Sequence, residues 1–228
     1  MTHRAEPAVA TGLRLFLDTA DRAAWARWLP TGLFHGITTN PLILQHAGLK
    51  CRMPVLAELV RDALSHDIAE VMVQTWGREA DKLVANGRAL AALDARVVIK
   101  VPLTLAGVNA VKALHQAGVR TTLTACYAAH QALTAAAAGA DYLAPYFGRI
   151  GDGGRDALAE VRTMQAILAA CGGQTRLIVA SIRRAADLPA MAASGMNTFT
   201  FGPEVAAELF ADTDTEAAAE SFEVAAES

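Results

Sequence analysis

Short apolar runs recur along this chain, each closing on polar residues and followed by a stretch with apolar positions at helical spacing. Leu13-Arg14-Leu15-Phe16-Leu17 predicts a first strand ending at Asp18-Thr19, with a helix over 20–29 behind it. Phe34-His35-Gly36-Ile37-Thr38 predicts a second strand. It runs into Thr39-Asn40-Pro41, where an Asn cap and a Pro in the first turn start a helix. Apolar residues then keep helical spacing over 55–64. A third strand is expected over 68–75 and a helix over 79–93, with Leu83, Leu90 and Leu93 toward the core. The fourth strand is Ala95-Arg96-Val97-Val98-Ile99-Lys100-Val101-Pro102, followed by a helix over 105–116 that stops at Gly118. Strands over 119–125 and 141–145 flank a helix over 127–138. After Gly151-Asp152-Gly153-Gly154 a long helix reaches about residue 170. A strand over 176–180, a helix over 183–193 and a strand over 197–201, ending at Gly202-Pro203, complete the alternation.

Strand and helix alternate without a break in composition, and the strands are rich in branched apolar residues, as strands buried on both faces are. Eight such strands, each followed by a helical segment, meet the requirement of a closed parallel sheet. The expected fold is α/β, a (β/α)8 TIM barrel with an additional C-terminal helix. Its divisions are an N-terminal extension over 1–12, the barrel over 13–211 and an Ala- and Glu-rich helical tail over 212–228.

Composition narrows the function. With 53% hydrophobic and 19% charged residues in 228 there is material for one large core. A net charge of -3 and the absence of a basic run with interleaved aromatics argue against nucleic acid. Cys51, Cys126 and Cys171 are odd in number and far apart, which indicates neither a disulfide framework nor a Cys-x-x-Cys metal site. The six histidines form no metal-ligand spacing. No run is apolar for a full membrane span, and residues 1–12 lack a signal-peptide core, so the expectation is no membrane partner and a cytoplasmic location.

The chemistry centres on Lys100, a lysine in an apolar run just before a proline. Near a barrel strand's C-terminal end, where ligand-binding residues collect, a lysine shielded from water loses its proton more easily and attacks a carbonyl as a free amine. The bland alternative is a stem over apolar surface with its ammonium in solvent. Asp18, Thr38, Asn40, Gln74, Thr124, Tyr146, Arg149 and Ser181 also follow apolar strands, which places them around the same mouth. Singly, each has an ordinary explanation as a cap, turn or surface charge. Together they permit aldol chemistry. The lysine iminium withdraws electrons and stabilises an enamine, so no separate cofactor is needed. Asp18, or Tyr146 with a water held by Gln74 and Thr124, moves protons. Arg149 and Ser181 suit a terminal phosphate.

Leu17-Asp18-Thr19-Ala20-Asp21, Gly36-Ile37-Thr38-Thr39-Asn40-Pro41, Val98-Ile99-Lys100-Val101-Pro102, Thr124-Ala125-Cys126-Tyr127 and Ala144-Pro145-Tyr146-Phe147-Gly148-Arg149 resemble, in that order, the motifs of the small transaldolases and fructose-6-phosphate aldolases. The resemblance covers about residues 13–210. It implies Lys100 as the Schiff-base residue, Asp18 and Asn40 at the hydroxyls of a dihydroxyacetone unit, and Arg149 and Ser181 at the phosphate. Transaldolases proper carry a glutamate at the position of Gln74 and a phenylalanine at that of Tyr146, and at both the chain looks like the aldolases. The expected activity is therefore cleavage or formation of the C3–C4 bond of a phosphorylated ketose. The alternatives are transfer of dihydroxyacetone to an aldose phosphate, or action on a sulfonated ketose. A silent sugar-phosphate-binding barrel is the non-enzyme rival, which the completeness of the site opposes. Trp76, where the aldolases have smaller residues, either fills core against the next helix or narrows the mouth. The resemblance also implies a homo-oligomer, a pentamer or a decamer.

Overall fold

A computed structural model describes residues 12–172 and 174–227. Its strands are β1 (Arg14–Asp18), β2 (Phe34–Thr38), β3 (Glu70–Gln74), β4 (Val97–Pro102), β5 (Thr121–Cys126), β6 (Tyr142–Pro145), β7 (Arg176–Leu177), β8 (Val179–Ile182) and β9 (Thr198–Phe201). All pair in parallel in the order β7-β6-β5-β4-β3-β2-β1-β9-β8. β7 and β8 are two halves of one strand path, broken at Ile178. The first half pairs with β6 and the second with β9, and a bridge from Tyr146 to Ala180 closes the ring. The eight-strand barrel of the sequence pattern is thus the fold, with its seventh strand in two pieces.

Around it run α1 (Arg22–Trp28), α2 (Pro41–His46), α3 (Met53–Leu64), α4 (Ala80–Ala91), α5 (Leu105–Gln116), α6 (Gln131–Ala138), α7 (Phe147–Asp152), α8 (Ala157–Ala170), α9 (Leu188–Ala192), α10 (Pro203–Glu208) and α11 (Thr213–Ala226). Side chains alternate across each strand, so every strand feeds two cores. Leu17, Val71, Val73, Val97, Ile99 and Val101 face the helices. Phe16, Met72, Val98, Tyr142, Ala144 and Ile178 form a separate plug inside the barrel. Two residues beyond Phe16, Met72, Val98 and Ala144 stand Asp18, Gln74, Lys100 and Tyr146. The period of two therefore lifts these polar groups onto the plug's upper side. Gly36 is required below them, because a Cβ there would sit 2.0 Å from the Glu70 carbonyl oxygen.

Several boundaries differ from the pattern. Leu83 and Leu90 are buried, but Leu93 is 38% exposed because α4 ends at Ala91. α6 starts at Gln131 rather than 127, since the Gln131 side-chain oxygen accepts the Tyr127 and Ala128 amides at 2.7 and 2.9 Å and holds them in a loop. The glycines at 151–154 hid α7, which runs into them. The expected helix over 183–193 is a 3-10 turn at Ala185–Asp187 followed by α9, with Pro189 in its first turn. Trp76 is half-buried against the helix-side core and does not line the mouth. α11 has no buried residue, and Phe222 and Val224 on it are exposed. Of the N-terminal extension, residues 1–11 lie outside the described residues.

Candidate active site

At the C-terminal ends of the strands a cavity of about 380 Å³ opens, lined by Asp18, Asn40, Gln74, Lys100, Thr124, Tyr146, Arg149 and Ser181. Of the residues expected there, Thr38 alone does not reach it. It is buried below the mouth, where its hydroxyl donates to Asp18 Oδ1 at 2.6 Å and meets Thr200 Oγ1 at 2.5 Å. Its place is beneath Asp18, holding that carboxylate toward the cavity.

Lys100 is 4% exposed, and among the described residues its amine has neither an ion pair nor a hydrogen bond. Burial pushes its pKa down and the Asp18 carboxylate opposes that shift in part. A buried ammonium is costly and Asp18 offsets only part of that cost, so burial shifts the balance toward the free amine, the form with a lone pair. Tyr146 follows β6, and its phenolic oxygen accepts a hydrogen bond from Thr124 at 3.0 Å. Burial raises the Tyr146 pKa, outweighing the lowering by Thr124, so near neutral pH it keeps its proton. The Arg149 guanidinium lies over the Tyr146 ring, 5.0 Å from its centre. Asn40 caps α2, with its side-chain oxygen accepting the Leu42 and Ile43 amides at 2.9 and 3.1 Å, and also lines the cavity. Its capping and mouth placements coexist.

Among the described residues two other than glycine have positive φ, Ala125 at 57° and Ser181 at 58°, and both line the cavity. Each stands where the register slips, between β5 and β6 and between β8 and β9. A side chain in this region costs backbone strain, which is held where surrounding structure over-determines it. Here it turns the chain at the strand ends, so that Tyr127 and Ser181 reach the mouth.

Sequence reasoning did not select Tyr127 or His46, which also line the cavity. Tyr127 packs edge-on against Tyr146, ring centres 5.6 Å apart. Its signal was present in the Thr-Ala-Cys-Tyr motif, masked by assigning it to a helix. His46 ends α2 and carried no such signal. Among the described residues no group of three or more His, Cys, Asp or Glu side chains could hold a metal ion, and no helix is long and apolar enough to cross a membrane.

A closed parallel barrel with a buried amine among hydroxyls, an amide, a carboxylate and a guanidinium defines the class of α/β-barrel enzymes that work on small polar substrates. The sequence over residues 15–228 matches the profile described as Transaldolase/Fructose-6-phosphate aldolase, and the chain belongs to that family. It is 35% identical over 210 residues to a "Probable transaldolase" of Caulobacter vibrioides, covering 92% of this chain and 94% of that one. A "Probable transaldolase 1" of Bacillus anthracis is 33% identical over 210 residues, with coverage of 92% and 95%. Among solved structures, one titled "Native KDPGal structure" superposes with a TM-score of 0.56 at 15% identity, covering 83% of this chain and 82% of that chain. A mandelate oxidase mutant with an FMN adduct gives 0.58 at 17%, with coverage of 83% and 64%. These two likenesses concern the fold alone. The protein is an enzyme, a transaldolase or aldolase.

Proposed function

We propose that the protein is a class I aldolase that cleaves or forms the C3–C4 bond of a phosphorylated ketose such as fructose 6-phosphate. The observation that carries this reading is the buried, unpartnered amine of Lys100 facing Asp18, Tyr146 and Thr124 across one cavity. The amine adds to the C2 carbonyl, and loss of water gives an iminium. The C4 hydroxyl proton leaves as the C3–C4 bond breaks, and its electron pair enters the iminium to give an enamine. Tyr146, kept neutral and oriented by Thr124, relays protons through a water beside Gln74. Asp18, steadied by Thr38, and Asn40 bind the hydroxyls of the dihydroxyacetone unit. Arg149 and Ser181 take the terminal phosphate. Protonation of the enamine and hydrolysis free the lysine, so the residues complete the cycle without a cofactor.

Incubation with fructose 6-phosphate or dihydroxyacetone followed by borohydride is expected to leave a reduced adduct on Lys100, located by peptide mass spectrometry. A label on another lysine, or no label while activity persists, removes this mechanism. The second reading, transfer of the dihydroxyacetone unit to an aldose phosphate, is favoured by the names of the relatives. Turnover only when an acceptor aldehyde is present selects it, and free dihydroxyacetone from a single ketose selects the aldolase. A sulfonated ketose would use the same residues. The proposal extends to a cytoplasmic homo-oligomer, a pentamer or decamer whose mass sedimentation analysis would give.

A further inference from the structure

Thr200, in the middle of β9, is buried, and the mechanism gives it no task. Register places it beside Phe16, two residues below Asp18 on β1, while Thr38 on β2 pairs with Asp18 itself. β1 lies between β2 and β9, so the Thr38 and Thr200 hydroxyls, 2.5 Å apart, meet across it. The result is a latch spanning three strands beneath the Asp18 carboxylate. Counting protons gives the latch a direction. A threonine hydroxyl has one proton to donate and two lone pairs with which to accept. Thr38 gives its proton to Asp18 Oδ1 at 2.6 Å, so in the contact with Thr200 it is Thr200 that donates. Both O–H dipoles then point at the carboxylate, and aligned hydrogen bonds in a buried chain strengthen one another. Asp18 depends on this, because the last torsion of an aspartate is broad and sets no orientation by itself. Among the described residues Thr38 is the one hydrogen-bond partner of that carboxylate, which has no ion pair.

We infer that Thr200 is a positioning residue for ketose recognition: through Thr38 it fixes Asp18 Oδ1 and leaves Oδ2 turned to the cavity as the acceptor for a hydroxyl beside the substrate carbonyl. The inference rests on the reading that Asp18 binds the hydroxyls of a dihydroxyacetone unit. An acceptor held in one place selects hydroxylated ketones over plain ones, since a ketone without a hydroxyl gains nothing from it. A threonine that only filled core would serve both kinds of ketone alike.

The test compares dihydroxyacetone with acetone, which offers Lys100 a ketone carbonyl and no hydroxyl. Each condenses with the amine, water leaves, and borohydride delivers hydride to the iminium carbon to fix a secondary amine. The ratio of the two trapping rates, read by mass spectrometry on the full chain, cancels any general change in the lysine. Thr200→Val keeps the shape and removes the hydroxyl, and it is expected to lower the ratio about three- to tenfold, the range of one hydrogen bond. Thr200→Ser restores the hydroxyl and is expected to stay within about twofold of wild type. Thr38→Val, the other half of the latch, should lose the preference as well, and it carries the test if Thr200→Val does not fold. In an Asp18→Ala background, where the ratio is already low, Thr200→Val is expected to cost nothing further, because the residues act through one contact. A wild-type ratio in Thr200→Val, Thr38→Val or Asp18→Ala, an equal loss in Thr200→Ser, or a further loss in the Asp18→Ala background overturns the inference. Trapping of neither ketone on wild-type Lys100 sinks the aldolase reading itself, whereas trapping of both with an unchanged ratio in Thr200→Val sinks the role of Thr200 alone.

Discussion

Lys100 shows what a reactive group costs its own fold. Its pKa is lowered by burial, so the folded chain gives up a proton that the unfolded chain holds up to the ordinary value of 10.5. Wherever the unfolded state binds more protons, stability rises with pH, so between the lowered value and 10.5 the lysine weakens the fold, and less so as pH climbs. Lys100→Met is therefore expected to abolish borohydride trapping yet melt at a higher temperature at neutral pH, by about 0.5–2 kcal/mol in stability. The difference between variant and wild type should shrink toward pH 10.5. Thermal denaturation at stepped pH checks this, and a less stable Lys100→Met would mean that the amine has a partner. The lysine was legible in the sequence because a charge inside an apolar strand before a proline is rare enough to stand out. Thr38 was misread for a reason of the same scale. Sequence tells that a side chain faces inward, but Thr38 stands one layer too low, beneath Asp18, and only the stagger between strands decides which layer opens to solvent.

Among the elements, the strands were the most legible and the short helices the least. Runs such as Val97-Val98-Ile99 announce a buried strand whatever surrounds them, whereas α7 is six residues long and spends one of them on Gly148 and another on Gly151. Local propensity opposes such a helix, and tertiary contacts impose it. Gly148 explains why. A Cβ there would meet the Ser181 carbonyl oxygen at 2.5 Å and Arg183 Nε at 2.9 Å, so α7 can lie against β8 only through a bare backbone. Gly148→Ala should push α7 from β8 and shift Arg149 and Ser181 together. The expected outcome is a rise in KM for the phosphorylated substrate of about tenfold or more, as a displacement of about 1 Å commonly costs, with Lys100 still trapped by borohydride. Unchanged kinetics in this variant would mean that the contact yields without cost. The break at Ile178 was equally invisible, since nothing in Arg176 to Ala180 marks where one strand changes partner.

The whole molecule is tied at the end opposite the mouth by Glu70. Its carboxylate accepts hydrogen bonds from Arg120 at 2.8 Å and from Tyr142 at 2.8 and 3.0 Å, with Arg14 at 3.4 Å and His35 at 3.6 Å, joining residues of β1, β2, β3 and β6 and the lead into β5. Burial alone would push the Glu70 pKa up, but the Tyr142 hydrogen bonds, the Arg120 charge and the His35 ring 3.6 Å away outweigh it and hold the group at about 2. A lowered folded value means stability that is present above the unfolded value of 4.5 and is lost as pH falls toward about 2. Glu70→Gln is expected to lose about 2–3 kcal/mol at neutral pH, below the range for fully buried pairs because Arg14 and Arg120 reach solvent. It should also flatten the acid limb between those two pH values. Urea denaturation at stepped pH reads both, and a variant with the wild-type acid limb would assign that limb elsewhere. No local pattern marked Glu70, because its meaning lies in arginines 56 and 50 residues away in the chain.

Between this floor and the mouth lies the apolar plug of Phe16, Met72, Val98, Tyr142, Ala144 and Ile178. Its packed side chains make a dry bulkhead across the middle of the barrel, closing the route by which water could pass from the arginine-rich base to the reactive amine. A change at the base that leaves this bulkhead intact therefore keeps the amine dry, whereas a change at Tyr142, which belongs to bulkhead and base alike, is felt at both ends.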